Sequence, residues 1–144
     1  MIEGKIKEPD RFFIEKSDRK DYDRLKKKKD SPLFGKENKD LFILAVVVGF
    51  NEGARQKLNK KEGYFRSSYL DDKDRALINA IAVSEEGPLD VLVHKDLVFS
   101  IAEEYANGGI KLLKDKVFSG EYGSFARKLE FELVKMFEER IKKA

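Results

Sequence analysis

Leu41 to Phe50 is the one long unbroken apolar run in this chain, and polar residues bound it on both sides. Leu41, Leu44, Ala45 and Val48 share one helical face by the i, i+3, i+4, i+7 rule. Phe42, Ile43, Val46, Val47 and Phe50 cover the other faces. A helix that is apolar all round is a buried one, so the pattern predicts a central helix over about 38–58. Asn38 is its expected N-cap and Asp40 suits its first turn. Beyond Asn51 the pattern turns polar, and Arg55 and Lys57 are expected to carry the helix to the surface. Gly49 weakens a helix interior by about 1 kcal/mol, which points to close packing at that position. The run alone is also compatible with a buried strand, but no alternation of strands and helices surrounds it. It is too short to span a membrane, which takes about 20 apolar residues.

Helical spacing recurs downstream. Leu77, Ile78, Ile81 and Ala82 form a stripe that starts at the caps Asp71 or Asp72 and ends at Gly87-Pro88. Pro88 to Val93 is compatible with a short helix or a short strand. Asp96 caps a further helix with Leu97, Ile101 and Tyr105 on one face. Asn107-Gly108-Gly109 is expected to break or kink it before Ile110, Leu113 and Val117 resume the pattern. Ser124 is expected to cap a long last helix over 124–144, with Phe125, Leu129, Leu133, Phe137 and Ile141 at every fourth position and Phe131 and Val134 widening the stripe. Upstream, residues 1–30 are dense in charge, with few apolar residues. They read as a solvated helix end or a mobile arm. Ser31-Pro32 marks a turn, which Leu33 and Phe34 anchor. Residues 59–70 read as a loop with short helical turns. The expected fold is all-α: one domain over 1–144, a compact bundle around the 38–58 helix.

Charge changes the picture in one respect. Charged residues make up 40% of the chain, so its surface is densely ionic, and the net charge is +3. The excess of Lys and Arg falls in residues 1–73, while residues 74–144 are slightly acidic. Lys26, Lys27, Lys28 and Lys29 form a block, and Lys60, Lys61 and Arg66 surround the aromatic residues Tyr64, Phe65 and Tyr69. Cations for phosphate and rings for stacking are what nucleic-acid surfaces combine, and ordinary solvated loops combine them too. No apolar N-terminal stretch resembles a signal peptide, so the expected location is cytoplasmic and no membrane partner is expected.

Candidate chemistry is sparse. There is no Cys and a single His, His94, so the usual zinc ligand sets cannot be assembled. Asn107-Gly108-Gly109 lacks the strand, Lys and Ser/Thr of a phosphate loop. Asp71, Asp72 and Asp74 could hold a divalent cation, but at a helix start they are more simply caps. Glu103 and Glu104 read as a solvated face. The expectation is a protein without cofactor or metal that is not an enzyme.

Three segments then belong together: residues 31–58 with G-F-x-x-G-x-R, residues 74–92, and Glu103 to Ile110 with Y-A-N-G-G. In this order and spacing they resemble the small proteins of the Dnd system-associated protein 4 family, which are encoded beside DNA phosphorothioate modification and restriction genes. The resemblance covers about residues 5–118 and leaves the last helix outside. Gly49, Phe50, Gly53, Arg55, Tyr105, Asn107 and Gly108 carry it. It implies an accessory factor acting near DNA, with phosphate contacts expected from Lys26 to Lys29, Arg55, Lys57, Lys60, Lys61 and Arg66. The alternative is a protein–protein adaptor or regulator of a modification or restriction complex, docking through its helical surface. The last helix stripe would serve a homodimer equally well.

Overall fold

The structure is a computed structural model that describes residues 7–143. Its elements are strand β1 (Arg11–Glu15), helix α1 (Arg19–Lys27), helix α2 (Asn38–Glu52), strand β2 (Lys61–Arg66), and helices α3 (Asp72–Glu86), α4 (Lys95–Phe118) and α5 (Tyr122–Lys143). Short 3-10 turns lie at Lys16–Asp18, Ser67–Tyr69 and Leu89–Val93. Helix dominates, but the all-α expectation is corrected by a two-stranded antiparallel sheet.

The pattern of the sequence hides the two strands for an identifiable reason. β1 and β2 come from the charged N-terminal stretch and from the 59–70 loop, and each exposes one face to solvent. Phe12 pairs with Phe65 across the ribbon, and both rings are buried. Phe12 stacks on Phe99 at 4.1 Å and on Phe65 at 5.1 Å, and tilts against Phe42 at 4.9 Å. A two-stranded ribbon is marginal alone in water; here its inward aromatic face is sealed by α2 and α4. Tyr64 and Phe65 are therefore core residues, while Tyr69 stays 64% exposed.

The heart of the molecule is the pair α2 and α4. Leu41, Phe42, Ala45, Val46, Val47 and Val48 of α2 are buried, as the all-round apolar pattern requires. Val98, Ile101, Ala102, Ala106, Ile110 and Leu113 of α4 are buried against the same core. Side chains are nearly absent where the axes are closest. A methyl group on Gly49 would run into the Tyr105 carbonyl, and one on Gly109 would run into the Ala45 carbonyl. One on Gly108 would strike the Ala54 carbonyl. The expected break at Asn107-Gly108-Gly109 does not occur, because α4 runs unbroken through it. The helical cost of two glycines is offset by backbone-to-backbone packing that no larger residue permits.

Several boundaries differ from expectation. Glu37, not Asn38, is the α2 N-cap, and no side chain caps it. The Asn38 side chain instead accepts a hydrogen bond from Lys26 Nζ at 2.7 Å and donates to the Tyr64 carbonyl at 3.4 Å. α2 stops at Glu52, because Gly53 adopts a left-handed conformation with φ 67°. Leu33 is buried as an anchor, but Phe34 is exposed. α3 has the expected start: Asp71 and Asp74 form a reciprocal capping box. α5 begins at Tyr122, two residues before Ser124. Leu129 is buried and Phe125 and Leu133 pack on the core, whereas Phe131 and Val134 are exposed. The side chains of Phe137 and Ile141 lie outside the described residues.

The helix contact yields a clear expectation. Gly109→Ala should destabilise by at least about 3 kcal/mol, or prevent folding, because backbone rather than a mobile side chain stands in the way. Gly123→Ala, with open space around it, should instead stabilise by roughly 0.5–1 kcal/mol. Urea unfolding of both variants checks the pair.

Candidate functional site

The residues that carry the family resemblance converge on one place. Past Gly53 the chain turns back and runs alongside α4. The Ala54 N–H donates to the Gly49 carbonyl at 2.8 Å, and the Gln56 N–H donates to the Glu104 carbonyl at 3.0 Å. Arg55 donates through Nε to Glu104 at 2.7 Å and through Nη1 to Glu85 at 2.9 Å. Its guanidinium lies 5.8 Å from the Tyr105 ring centre, and Phe50 packs edge-on against the same ring. Asn107 is buried; its amide donates to the carbonyls of Gln56 and Lys57 at 3.2 and 3.1 Å and accepts from Lys111 Nζ at 3.0 Å. Gly49, Phe50, Gly53, Arg55, Tyr105, Asn107 and Gly108 thus form a single joint that straps residues 53–58 to α4.

Two sequence-based readings change here. Arg55 does not lie on a helix end; it follows the helix, and two glutamates hold its charge. Glu103 and Glu104 are not a solvated face. Glu104 grips Arg55, and Glu103 is only 5% exposed, where it accepts the Phe13 N–H at 2.8 Å. Glu103 thereby ties β1 to α4. The spacing held a signal for it: Phe99, Glu103, Ala106 and Ile110 stand at i, i+4, i+7 and i+11, so Glu103 lies on the buried stripe. Burial raises its pKa to about 7, against the opposing pull of the Phe13 N–H and the Lys61 charge, with Glu104 adding to the rise. Burial, then the neighbouring Glu85 carboxylate, raises the Tyr105 hydroxyl above its usual value.

The remaining candidate cations fall on the ribbon and its surroundings. Lys27, Lys28 and Lys29 are exposed at the end of α1. Lys57, Lys60, Lys61 and Arg66 are exposed as well. Lys28 lies over the Phe118 ring at 5.5 Å. Lys60 and Lys61 stand at one end of β2 and Arg66 at the other, about 15 Å away by strand geometry. Lys26 and Arg66 line one cleft together with Arg11, Lys39 and Tyr69. The structure therefore brings Lys26 and Arg66 together, leaves Lys27 to Lys29 at the end of α1, Lys57 in the 53–58 segment and Lys60 and Lys61 at one end of the ribbon, and removes Arg55 from the set.

The acids at the start of α3 are occupied by the capping box and by Lys39, whose Nζ lies 2.9 Å from Asp74. His94 is exposed at the N-cap of α4. Among the described residues, no group of three or more His, Cys, Asp or Glu is placed to hold a metal ion, and no helix is long and apolar enough to cross a membrane.

Residues 14–142 match the family described as DNA sulphur modification system-associated protein 4. The chain belongs to this family. No curated protein and no solved structure matches it. The family stretch takes in α5, which the resemblance in the sequence had left outside, and it contains the whole Arg55–Tyr105 joint. Of the ribbon arginines, Arg66 lies within it and Arg11 just before it.

The buried carboxylate gives a pH expectation. In the unfolded chain Glu103 releases its proton near 4.5; in the fold it keeps it to about 7. Between those values the native state binds more protons, so stability falls as pH rises through this window. Glu103→Gln should remove that fall, narrowing the difference between about pH 5 and about pH 8 by roughly 2–3 kcal/mol. Urea unfolding at both pH values measures it.

Proposed function

We propose that this protein is a non-enzymatic accessory component of a DNA sulphur modification system, and that it contacts DNA phosphates through its basic N-terminal half. The observation that carries the reading is a set of exposed cations, Lys27, Lys28, Lys29, Lys57, Lys60, Lys61 and Arg66, with no ion-pair partner among the described residues. Other cations of the chain do have partners: Arg19 with Glu62, Arg55 with Glu85 and Glu104, Arg75 with Glu8. Association with a DNA modification system, which the family description supplies, gives the unpaired set a natural partner. Contacts of this kind position a protein on nucleic acid without reading its sequence.

The non-enzymatic part of the reading rests on how the polar residues are used. Asp71 and Asp74 cap α3, Glu85 and Glu104 hold Arg55, and Glu103 fixes β1. A second reading, an adaptor docking on another protein of the system, draws on Phe131 and Val134, which α5 leaves 70% and 52% exposed.

Fluorescence anisotropy of labelled duplex DNA at about 50 and about 200 mM salt tests the reading, since phosphate contacts weaken strongly over that range. Binding should fall steeply with salt. Replacing Lys27, Lys28 and Lys29 by Ser should lower the log–log salt slope by up to about 3. Salt-independent binding, or none at low salt, would turn the assignment towards the adaptor.

A further inference from the structure

One pairing on the ribbon sets two like charges on facing strand positions, with the Arg11 side chain lying over Gly63. Arg11 and Arg66 are direct partners across the antiparallel strands. Like charges placed opposite each other destabilise a strand pair. Both side chains are exposed, and neither has a carboxylate within ion-pairing distance among the described residues. Glu8 and Asp10 line an adjoining hollow with both arginines; Glu8 is taken by Arg75, and Asp10 lies beyond ion-pairing distance of either.

The two arginines form one wall of a cleft of about 380 Å³ between the ribbon and the start of α2. That space is in the range small ligands occupy. Lys26 and Lys39 also line it, against the single carboxylate of Glu37. Lys39 is committed to Asp74, but Lys26 is tied only to the neutral Asn38 side chain and keeps its charge uncompensated. Tyr69, 64% exposed just past β2, adds an open aromatic face at the rim.

We infer that this cleft binds a single-stranded DNA segment, with a backbone phosphate between Arg11 and Arg66 and a neighbouring base on the Tyr69 ring. Guanidinium groups match phosphate through paired N–H donors, and an anion between them converts their repulsion into attraction. An aromatic face beside such a groove is how unpaired bases are held without regard to sequence. In a duplex the bases are stacked on one another and cannot reach Tyr69. The inference rests on the DNA-contacting role proposed above, and it narrows that role to one site and one form of DNA.

Anisotropy titrations of a short labelled deoxythymidine strand and of a duplex of equal length provide the test, with Arg66→Gln, Arg11→Gln, Tyr69→Ala and the Lys27–Lys29 to Ser variant. The strand should bind more tightly than the duplex. Arg66→Gln and Tyr69→Ala should each weaken strand binding by roughly tenfold, the scale of one charge-assisted contact or one stacked base. Arg66→Gln should at the same time melt no lower than the parent, because the like-charge pair is relieved; a variant that binds less while melting no lower cannot be explained by misfolding. Full binding in the arginine and tyrosine variants, with loss only in the lysine variant, would overturn the cleft and leave the broader DNA role standing. A preference for duplex that Tyr69→Ala does not change would overturn the single-strand assignment. Absence of binding to either DNA would remove both.

Discussion

The close approach of α2 and α4 is the constraint on which the rest of the molecule depends. Gly49, Gly108 and Gly109 allow backbone to meet backbone, and the carbonyls of Ala45, Ala54 and Tyr105 occupy the space that side chains would need. Dense packing of this kind tolerates little added volume. It fixes the register of the two helices, and the register fixes what stands on them. Phe42 and Phe99 are set to receive Phe12 of the ribbon, and Glu103 is set to receive the Phe13 N–H. The sheet is held in place by the helices, not the reverse.

The same contact explains the joint around Arg55. Once α2 ends at Gly53, the chain needs partners for its free backbone groups in a crowded place. Glu104 supplies a carbonyl and a carboxylate, and Asn107 supplies an amide that reaches two carbonyls. An arginine at this position looks from the sequence like a cation offered to a ligand. In the fold its charge is compensated by two carboxylates and its guanidinium lies 5.8 Å from the Tyr105 ring centre. The motif residues thus belong to the frame, and the cations without partners are on and beside the ribbon, at the end of α1, and at Lys57.

Much of the helical framework was legible in the sequence, for physical reasons. The apolar run of α2 had no polar face to mislead, the α3 cap followed from Asp71 and Asp74, and Gly49 pointed to close packing. The ribbon was hidden because its inward face consists of few residues, Phe12, Ile14 and Phe65, within highly charged surroundings. Gly108-Gly109 misled because glycine weakens an isolated helix, while here tertiary contact reverses the sign of its effect. Glu103 was misread because a pair of adjacent glutamates usually faces water, and only the i, i+4, i+7 spacing of its neighbours reveals that one of the two is buried. The Arg11–Arg66 pairing could not be seen at all, since it depends on strand register between segments about fifty residues apart.

The division of labour between a structural joint and a contacting ribbon is tested most directly by amide hydrogen exchange with and without a DNA oligonucleotide. We expect added protection in β1, in β2 through Tyr69, and around the end of α1, with the N–H groups of Gly53, Ala54, Gln56 and residues 103–108 unchanged because they are already hydrogen-bonded. Protection confined to 53–58 and 103–108, with the ribbon unaffected, would contradict this division and make the Arg55 joint itself the contact surface.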